Sequence, residues 1–277
     1  MDAGKRALDD LFSNASKYRT TQSYRELMAF IAKFRKYAPF NAMLVHVQKP
    51  GARFVLPAHQ WRKNYKRTIR PDAQPLVILQ PMGPVMFVFD VSETEGAPLP
   101  AEVEAPFSIR SGKISSQLSS TIENARRDGV RVAQPAHGSQ MAGSIRRAQF
   151  DGGAVEFRET QVPLRYELLM NANHDESSRY STLVHELAHL YCGHLGTPNP
   201  KWWPDRGNLS HDVEEFEAES VCYLVCKRIG LETKSDEYLA SYCDKNRNVP
   251  HISLDRVLSV ARQIEEMGRR KLSVRRR

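Results

Sequence analysis

The sequence predicts an α+β chain in two parts: a small N-terminal domain of mixed helices and strands, then a domain built on two long helices. Three observations carry this. In the first hundred residues, short apolar runs and amphipathic stretches alternate between Pro- and Gly-containing turns. Residues 181–192 read as one unbroken helix with two histidines four residues apart. Residues 212–226 read as a second helix, acidic in its first half, apolar in its second, and closed by Gly230. The boundaries implied are 1–105 for the N-terminal domain, 106–155 for a connecting region and 156–277 for the C-terminal domain with a basic tail.

Taken in order, residues 1–20 are polar and read as a loose helix. Residues 23–38 form a better one, with Leu27, Phe30, Ile31 and Phe34 on one side, Lys33, Arg35 and Lys36 on the other, and Pro39 as its end. A second helix covers 40–48 and closes at Pro50-Gly51. Residues 54–56 are a short strand, and 57–65 a helix with Pro57 in its first turn. The apolar runs 76–80 and 85–91 flank Pro81-Met82-Gly83-Pro84 and read as a hairpin. Residues 95–106 read as a linker and 113–128 as an amphipathic helix. Short strands are expected at 130–132, 141–150 and 154–157. Residues 164–171 fit an edge strand beside the 181–192 helix, with backbone groups free to pair with an extended chain. The Pro-rich loop 196–207 holds Trp202 and Trp203, which either wall a cleft or cap the core. Closing helices follow at 235–243 and 253–267, and the tail 269–277 reads as disordered.

Composition bounds the function. Of 277 residues, 41% are hydrophobic, enough for a core. No apolar run approaches the ~20 residues of a membrane span, so no membrane partner is expected. Met1-Asp2-Ala3-Gly4-Lys5-Arg6 is not followed by an apolar core, so no secretory signal is expected. Cys192, Cys222, Cys226 and Cys243 form no C-x-x-C pair, and three lie on apolar helix faces. Reduced, buried thiols and a cytoplasmic location are the expectation. A net charge of +8 and a pI near 9.3 favour polyanionic partners.

The chemistry is concentrated at His185-Glu186-Leu187-Ala188-His189. Four helical residues turn through about 400°, so the two imidazoles stand roughly 40° apart on one face and about 6 Å apart along the axis. There they can reach one tetrahedral cation, usually zinc, and Glu186 can take a proton from a water that the metal acidifies. The motif is short, and a chance match on a buried helix is the competing explanation. Glu215 and Glu219 share an inward face of the second helix with Cys222 and Cys226. A metal would supply the counter-charge for Glu215, and Glu219 could accept the free N–H of a ligating histidine. The alternative is a plain acidic surface. Glu214 and Glu217 point elsewhere and read as solvated.

His185-Glu186-Leu187-Ala188-His189-Leu190-Tyr191-Cys192-Gly193-His194, followed by Glu215-Phe216-Glu217-Ala218-Glu219-Ser220-Val221, resembles the ImmA/IrrE metallopeptidases over about residues 162–267. The resemblance implies a zincin-like domain with one Zn2+ per chain, held by His185, His189 and Glu215, with Glu186 as catalytic base and Glu219 behind. It also implies a protein substrate such as a repressor-type regulator. His194 lies beyond Gly193 and reads as structural or substrate-facing. Tyr166, Tyr180, His194 and His211 are candidates for the oxyanion donor.

The N-terminal half interleaves cations and rings: Arg53, Trp61, Arg62, Lys63, Lys66 and Arg67, with Tyr65 and Arg70 among them. Such a surface either holds phosphates while Trp61 stacks on unpaired bases, or is a solvated basic face with Trp61 in the core. Phe40-Asn41-Ala42-Met43-Leu44, Gln48-Lys49-Pro50-Gly51-Ala52, Gln60-Trp61 and Val88-Phe89-Asp90-Val91-Ser92 resemble the N-terminal domain of ArdC-type antirestriction proteins. That resemblance implies binding of single-stranded DNA ahead of a metallopeptidase domain. Two functions follow: a zinc-dependent protease, or an antirestriction or regulatory DNA-binding protein whose metal site is structural and does not cleave.

Overall fold

The computed structural model describes residues 18, 20–80, 83–100, 114, 116–136, 142–149 and 153–275. It is α+β and divides into two compact units: Met1–Arg110 with Cys243–Val249, and Ser111–Tyr242 with Pro250–Arg277. The region 106–155 therefore divides at Arg110, and most of it belongs to the second unit. The loose helix read at 1–20, most of the linker at 101–106 and the tip of the hairpin at 81–82 lie outside the described residues, Tyr18 and Thr20 apart.

The first unit begins with α1 (Thr21–Lys33), capped by Thr20, whose hydroxyl accepts the Ser23 N–H. The helix stops before residue 38, because Pro39 opens the next one, α2 (Pro39–Gln48), from its first turn. Asn41 and Gln48 are two turns apart on one face of α2 and reach β3 (Leu76–Gln80). Asn41 exchanges hydrogen bonds with both backbone groups of Leu79 (2.9 and 3.0 Å), and Gln48 does the same with Val77 (2.8 Å each). Amide side chains thus satisfy an edge that would otherwise be open. The sheet order is β1 (Val55–Leu56), β4 (Gly83–Asp90), β3. A second ribbon pairs β2 (Arg67–Ile69) with β5 (Thr94–Gly96). Residues 243–249 close this unit: Asp244 pairs with Arg25 at 3.0 Å, and the Arg247 carbonyl accepts the Thr21 N–H.

Helix α3 (Ala58–Tyr65) carries half of the residues considered for nucleic acid. Arg53, Arg62, Lys63 and Lys66 are exposed. Trp61 is not: it is fully buried against Leu56 and Val91, and its indole N–H donates to the Phe89 carbonyl at 2.9 Å. The stacking role considered for Trp61 is therefore corrected, since a ring in the core has no face to offer a base. Arg67 is corrected likewise. Its guanidinium bridges β2 to β5 and the chain beyond, donating to Thr94 Oγ1 (2.8 Å), the Thr94 carbonyl (2.7 Å) and the Ala97 carbonyl (2.6 Å). Among the described residues of this unit, the exposed ring is Phe87, on β4.

The second unit holds α4 (Gln117–Arg126), β6 (Val130–Ala133), β7 (Gly143–Arg147), the hairpin β8 (Ala154–Phe157) and β9 (Thr160–Pro163), and β10 (Tyr166–Met170). Four helices follow: α5 (Glu176–Cys192), α6 (His211–Ile229), α7 (Lys234–Lys245), whose last residues belong to the first unit, and α8 (Leu254–Arg269). The strand order is β6-β10-β7, with β6 parallel and β7 antiparallel to β10. The expected edge strand at 164–171 is thus the central one, buried at Tyr166, Leu168 and Met170. The edge next to α5 is β7. The tail also differs from expectation. Through residue 275 it is docked, with the Leu272 N–H on Asn124 Oδ1 and Arg275 on buried Asp128. Trp203 is buried in the core, its indole N–H on the Gly196 carbonyl. No helix among the described residues is long and apolar enough to cross a membrane.

Candidate metal centre

Helix α5 starts cleanly, because Asp175 accepts the Ser178 N–H at 2.7 Å. It ends at Gly193, whose φ of 90° suits glycine and whose Cα lies so close to the Pro204 carbonyl that a Cβ would sit 2.2 Å from its oxygen. The loop after α5 is thereby folded back along the helix. Helix α6 packs on α5, apolar residues inside, and presents Glu215 to the two histidines.

His185 Nε2 and His189 Nε2 lie 3.1 Å apart. Glu215 Oε1 is 3.3 Å from His189 Nε2, and its Oε2 is 3.6 Å from His185 Nε2. A tetrahedral cation with bonds of ~2.0–2.1 Å requires donor–donor edges of roughly 3.3 Å. The three side chains converge at that spacing, and all three are half-buried. The donor set therefore fits a divalent metal. In the metal-free protein, burial and then His189 lower the His185 pKa to about 4, against the opposing pull of Glu215. For His189, burial is outweighed by the hydrogen bond and charge of Glu215, and its pKa rises.

Glu186 does not join the donors. It points toward β7 and accepts the Ile145 backbone N–H. Burial, helped by the negative charge of Glu215, pushes its carboxyl up to about 7. A base poised there holds a proton reversibly near neutrality. The strand that borders it is fixed at Gly143, where a Cβ would meet Thr182 Cγ2 at 2.4 Å and the Leu169 carbonyl oxygen at 2.6 Å. Only a glycine lets β7 lie this close to α5.

Glu219 stands beside His185, but its Oε1 is 3.6 Å from His185 Nδ1, too far for a hydrogen bond. The stronger support is behind His189, where sequence reasoning did not place it. His189 Nδ1 is 3.0 Å from His194 Nδ1, and His194 Nε2 is 3.0 Å from Glu217 Oε2. Glu217, read as solvated, is fully buried. It accepts two bonds from Arg206 (2.6 and 2.7 Å) and the Ser253 N–H (2.7 Å). Burial resists its ionisation, but His194 and Arg206 prevail and its pKa is lowered. The proton pattern follows. With a cation held by the donors, His194 would donate from Nε2 to the carboxylate, its Nδ1 would accept from His189 Nδ1–H, and His189 Nε2 would be left with its lone pair for the cation.

Cys192, His194 and Glu217 also cluster within ligand distance of one another. They make a poor cation site, because Glu217 is already saturated by Arg206 and burial keeps the Cys192 thiol well above its ordinary pKa. Of the oxyanion candidates, Tyr166, Tyr180 and His194 are buried. His211 is exposed, its Nδ1 3.8 Å from Glu215 Oε1. Tyr238 on α7 was missed. Burial raises its pKa, and the charges of Glu215 and Glu219 act in the same direction.

Residues 140–221 match the family model of the IrrE N-terminal-like domain, a peptidase family. The matched stretch includes β7, β10, α5 and the part of α6 that bears Glu215, Glu217 and Glu219, so the similarity to a peptidase-family domain takes in the donor residues. An uncharacterized protein of Bacillus anthracis is 21% identical over 294 residues, covering 88% of this chain. The chain spans about half of that relative, 47% of its length. The Mn(II)-bound crystal structure of the antirestriction ArdC protein from the R388 plasmid is similar at a TM-score of 0.36 with 13% identity, over 88% of this chain and 96% of that one.

Proposed function

We propose that the second unit is a zinc-dependent peptidase. His185, His189 and Glu215 would hold the metal and Glu186 would carry the proton. The observation that carries this reading is the spacing of the three donors, which suits a tetrahedral ion, beside a carboxylate that is near them but not among them. A bound zinc ion supplies Lewis acidity, polarising a carbonyl and acidifying water. Glu186, buried and set toward β7, accepts a proton and returns it to the leaving amine. The His194–Glu217 pair orients the His189 imidazole, and Glu219 lends negative charge beside His185. His211 and Tyr238, which feel the charge of Glu215, are our candidates for the donor to a developing oxyanion.

The edge open to a substrate is β7, not β10. Among the described residues β7 pairs on one side only, with β10, and its Ile145 touches Glu186. An extended protein segment adding to that edge would carry its backbone past the catalytic carboxylate. By the resemblance to ImmA/IrrE peptidases, we take the substrate to be a specific regulatory protein rather than peptides at large. Four buried, unpaired cysteines support a reducing, cytoplasmic setting. Metal analysis of the purified chain tests the reading. We expect about one zinc per chain; a protein that carries no metal and takes up none on dialysis against zinc refutes it.

A second reading rests on the first unit. Arg53, Arg62, Lys63 and Lys66 remain exposed, and Phe87 offers a ring to solvent. We infer that this unit binds single-stranded DNA with little sequence preference. Its affinity should fall steeply with salt, and Phe87→Ala should cost about 1–3 kcal/mol if the ring stacks on a base. Salt-independent binding, or an unchanged affinity in both Phe87→Ala and an Arg62→Glu/Lys63→Glu variant, would remove this reading.

A further inference from the structure

We propose that the second unit carries a phosphate-binding cavity formed by the end of α4, the outer face of α8 and the docked segment 270–275. The cavity measures about 550 Å³ and includes none of the residues of the metal centre. Such a volume suits a small ligand. Five cations line it, Arg127, Arg262, Arg270, Lys271 and Arg275, against one carboxylate, Glu266. Glu266 is already occupied by Arg262 (3.2 Å) and Arg270 (2.6 Å). Buried Asp128, alongside, is shared by Arg127 and Arg275. Five cations therefore meet two carboxylates, and Lys271 forms no ion pair among the described residues.

Charge alone would describe a solvated basic face. Two further donors point to a ligand. Arg127 Nε and Gln263 Nε2 are buried and have no hydrogen-bond partner. Both residues line the cavity, together with the hydroxyl residues Ser259 and Ser273. Buried donors without acceptors are costly and rarely tolerated, and here both belong to residues that line one strongly cationic space. An anion with several oxygens satisfies both deficits, and guanidinium groups are well matched to phosphate. No aromatic ring lines the cavity, so nothing there stacks on a base. The ligand is recognised by its phosphates, whether they belong to a free phosphorylated molecule or to a nucleic-acid backbone.

The test is calorimetric titration of the full chain at low salt with sodium tripolyphosphate and, separately, with a single-stranded oligonucleotide of about ten nucleotides. Arg262→Glu/Lys271→Glu reverses two exposed cavity charges without touching the metal centre. Gln263→Leu removes one unpaired donor and no charge. We expect one tripolyphosphate per chain, bound about tenfold or more weakly by the charge-reversed protein and severalfold more weakly by Gln263→Leu. If the oligonucleotide shows the same losses and tripolyphosphate displaces it, the phosphates of a nucleic-acid backbone are the ligand. If only tripolyphosphate responds to the substitutions, the ligand is a free phosphorylated molecule. Equal binding by the unaltered chain and Arg262→Glu/Lys271→Glu, with both folded by circular dichroism, would overturn the proposal. So would the absence of binding by either probe. If the charge-reversed protein does not fold, Gln263→Leu decides, and undiminished binding by it counts against the cavity.

Discussion

Glu186→Gln is expected to lower peptide-bond cleavage by ~10²–10⁴-fold while the protein stays folded and keeps its metal. The amide has the size of the carboxylate, and its oxygen can still accept the Ile145 N–H. What it loses is basicity. Glu186 lies outside the donor triangle of His185, His189 and Glu215, so its replacement leaves the metal-holding atoms in place. Burial already disfavours the charged form of Glu186, so a neutral amide costs little stability and can add some. Metal analysis and thermal melting of the variant check those two points, and cleavage of the regulatory protein, or its accumulation in cells, checks the third. Full activity in Glu186→Gln with zinc bound would sink the peptidase reading and promote a DNA-binding protein with a structural metal. Loss of activity with oligonucleotide binding intact would assign the two functions to separate parts of the chain.

The two halves of the donor set differ in how legible they are in sequence. His185 and His189 sit on one helix, where a spacing of four fixes their relation without any knowledge of tertiary structure. Glu215 is on another helix, and only the apolar character of its neighbours hinted that its face turns inward. Glu217 lies about 200° around α6 from Glu215, so a helix with one inward face would leave it in solvent. Yet the second half of α6 is apolar on every side, at Val221, Cys222, Leu224, Val225 and Cys226, all buried. A helix apolar all round is buried all round, so an acid on its far side needs a partner as much as one on its near side. That signal was in the sequence. Its partner was not: Arg206 arrives from a loop whose path depends on the turn at Gly193.

The misread strand has a similar cause. Alternation identified residues 166–170 as a strand but could not say how many neighbours it has. Pairing of Tyr166 with Val130 on one side and Arg147 on the other is a matter of topology. Trp61 shows the limit of composition. Interleaved cations and rings look alike whether the rings stack on bases or fill a core. The Phe89 carbonyl that receives the indole N–H is far along the chain and gave no local sign.

Glu217→Ala is expected to destabilise the second unit by roughly 3–5 kcal/mol, because it strands a cation beneath the metal helix. Arg206 loses both of its short bonds, His194 loses its acceptor and the Ser253 N–H is left unpaired at the start of α8. The same substitution should weaken metal binding by about 10–100-fold in whatever fraction remains folded, since nothing then holds His194 in the tautomer that accepts from His189. Stability and metal affinity can be separated. In Glu217→Leu/Arg206→Met both charges are gone and the volume is roughly kept, a replacement that is often neutral for a buried pair. Urea denaturation should show most of the lost stability restored, whereas chelator competition should still show weakened metal binding, because a leucine cannot orient His194. If metal affinity recovers together with stability, Glu217 serves only the fold, and the orientation of His189 must come from elsewhere.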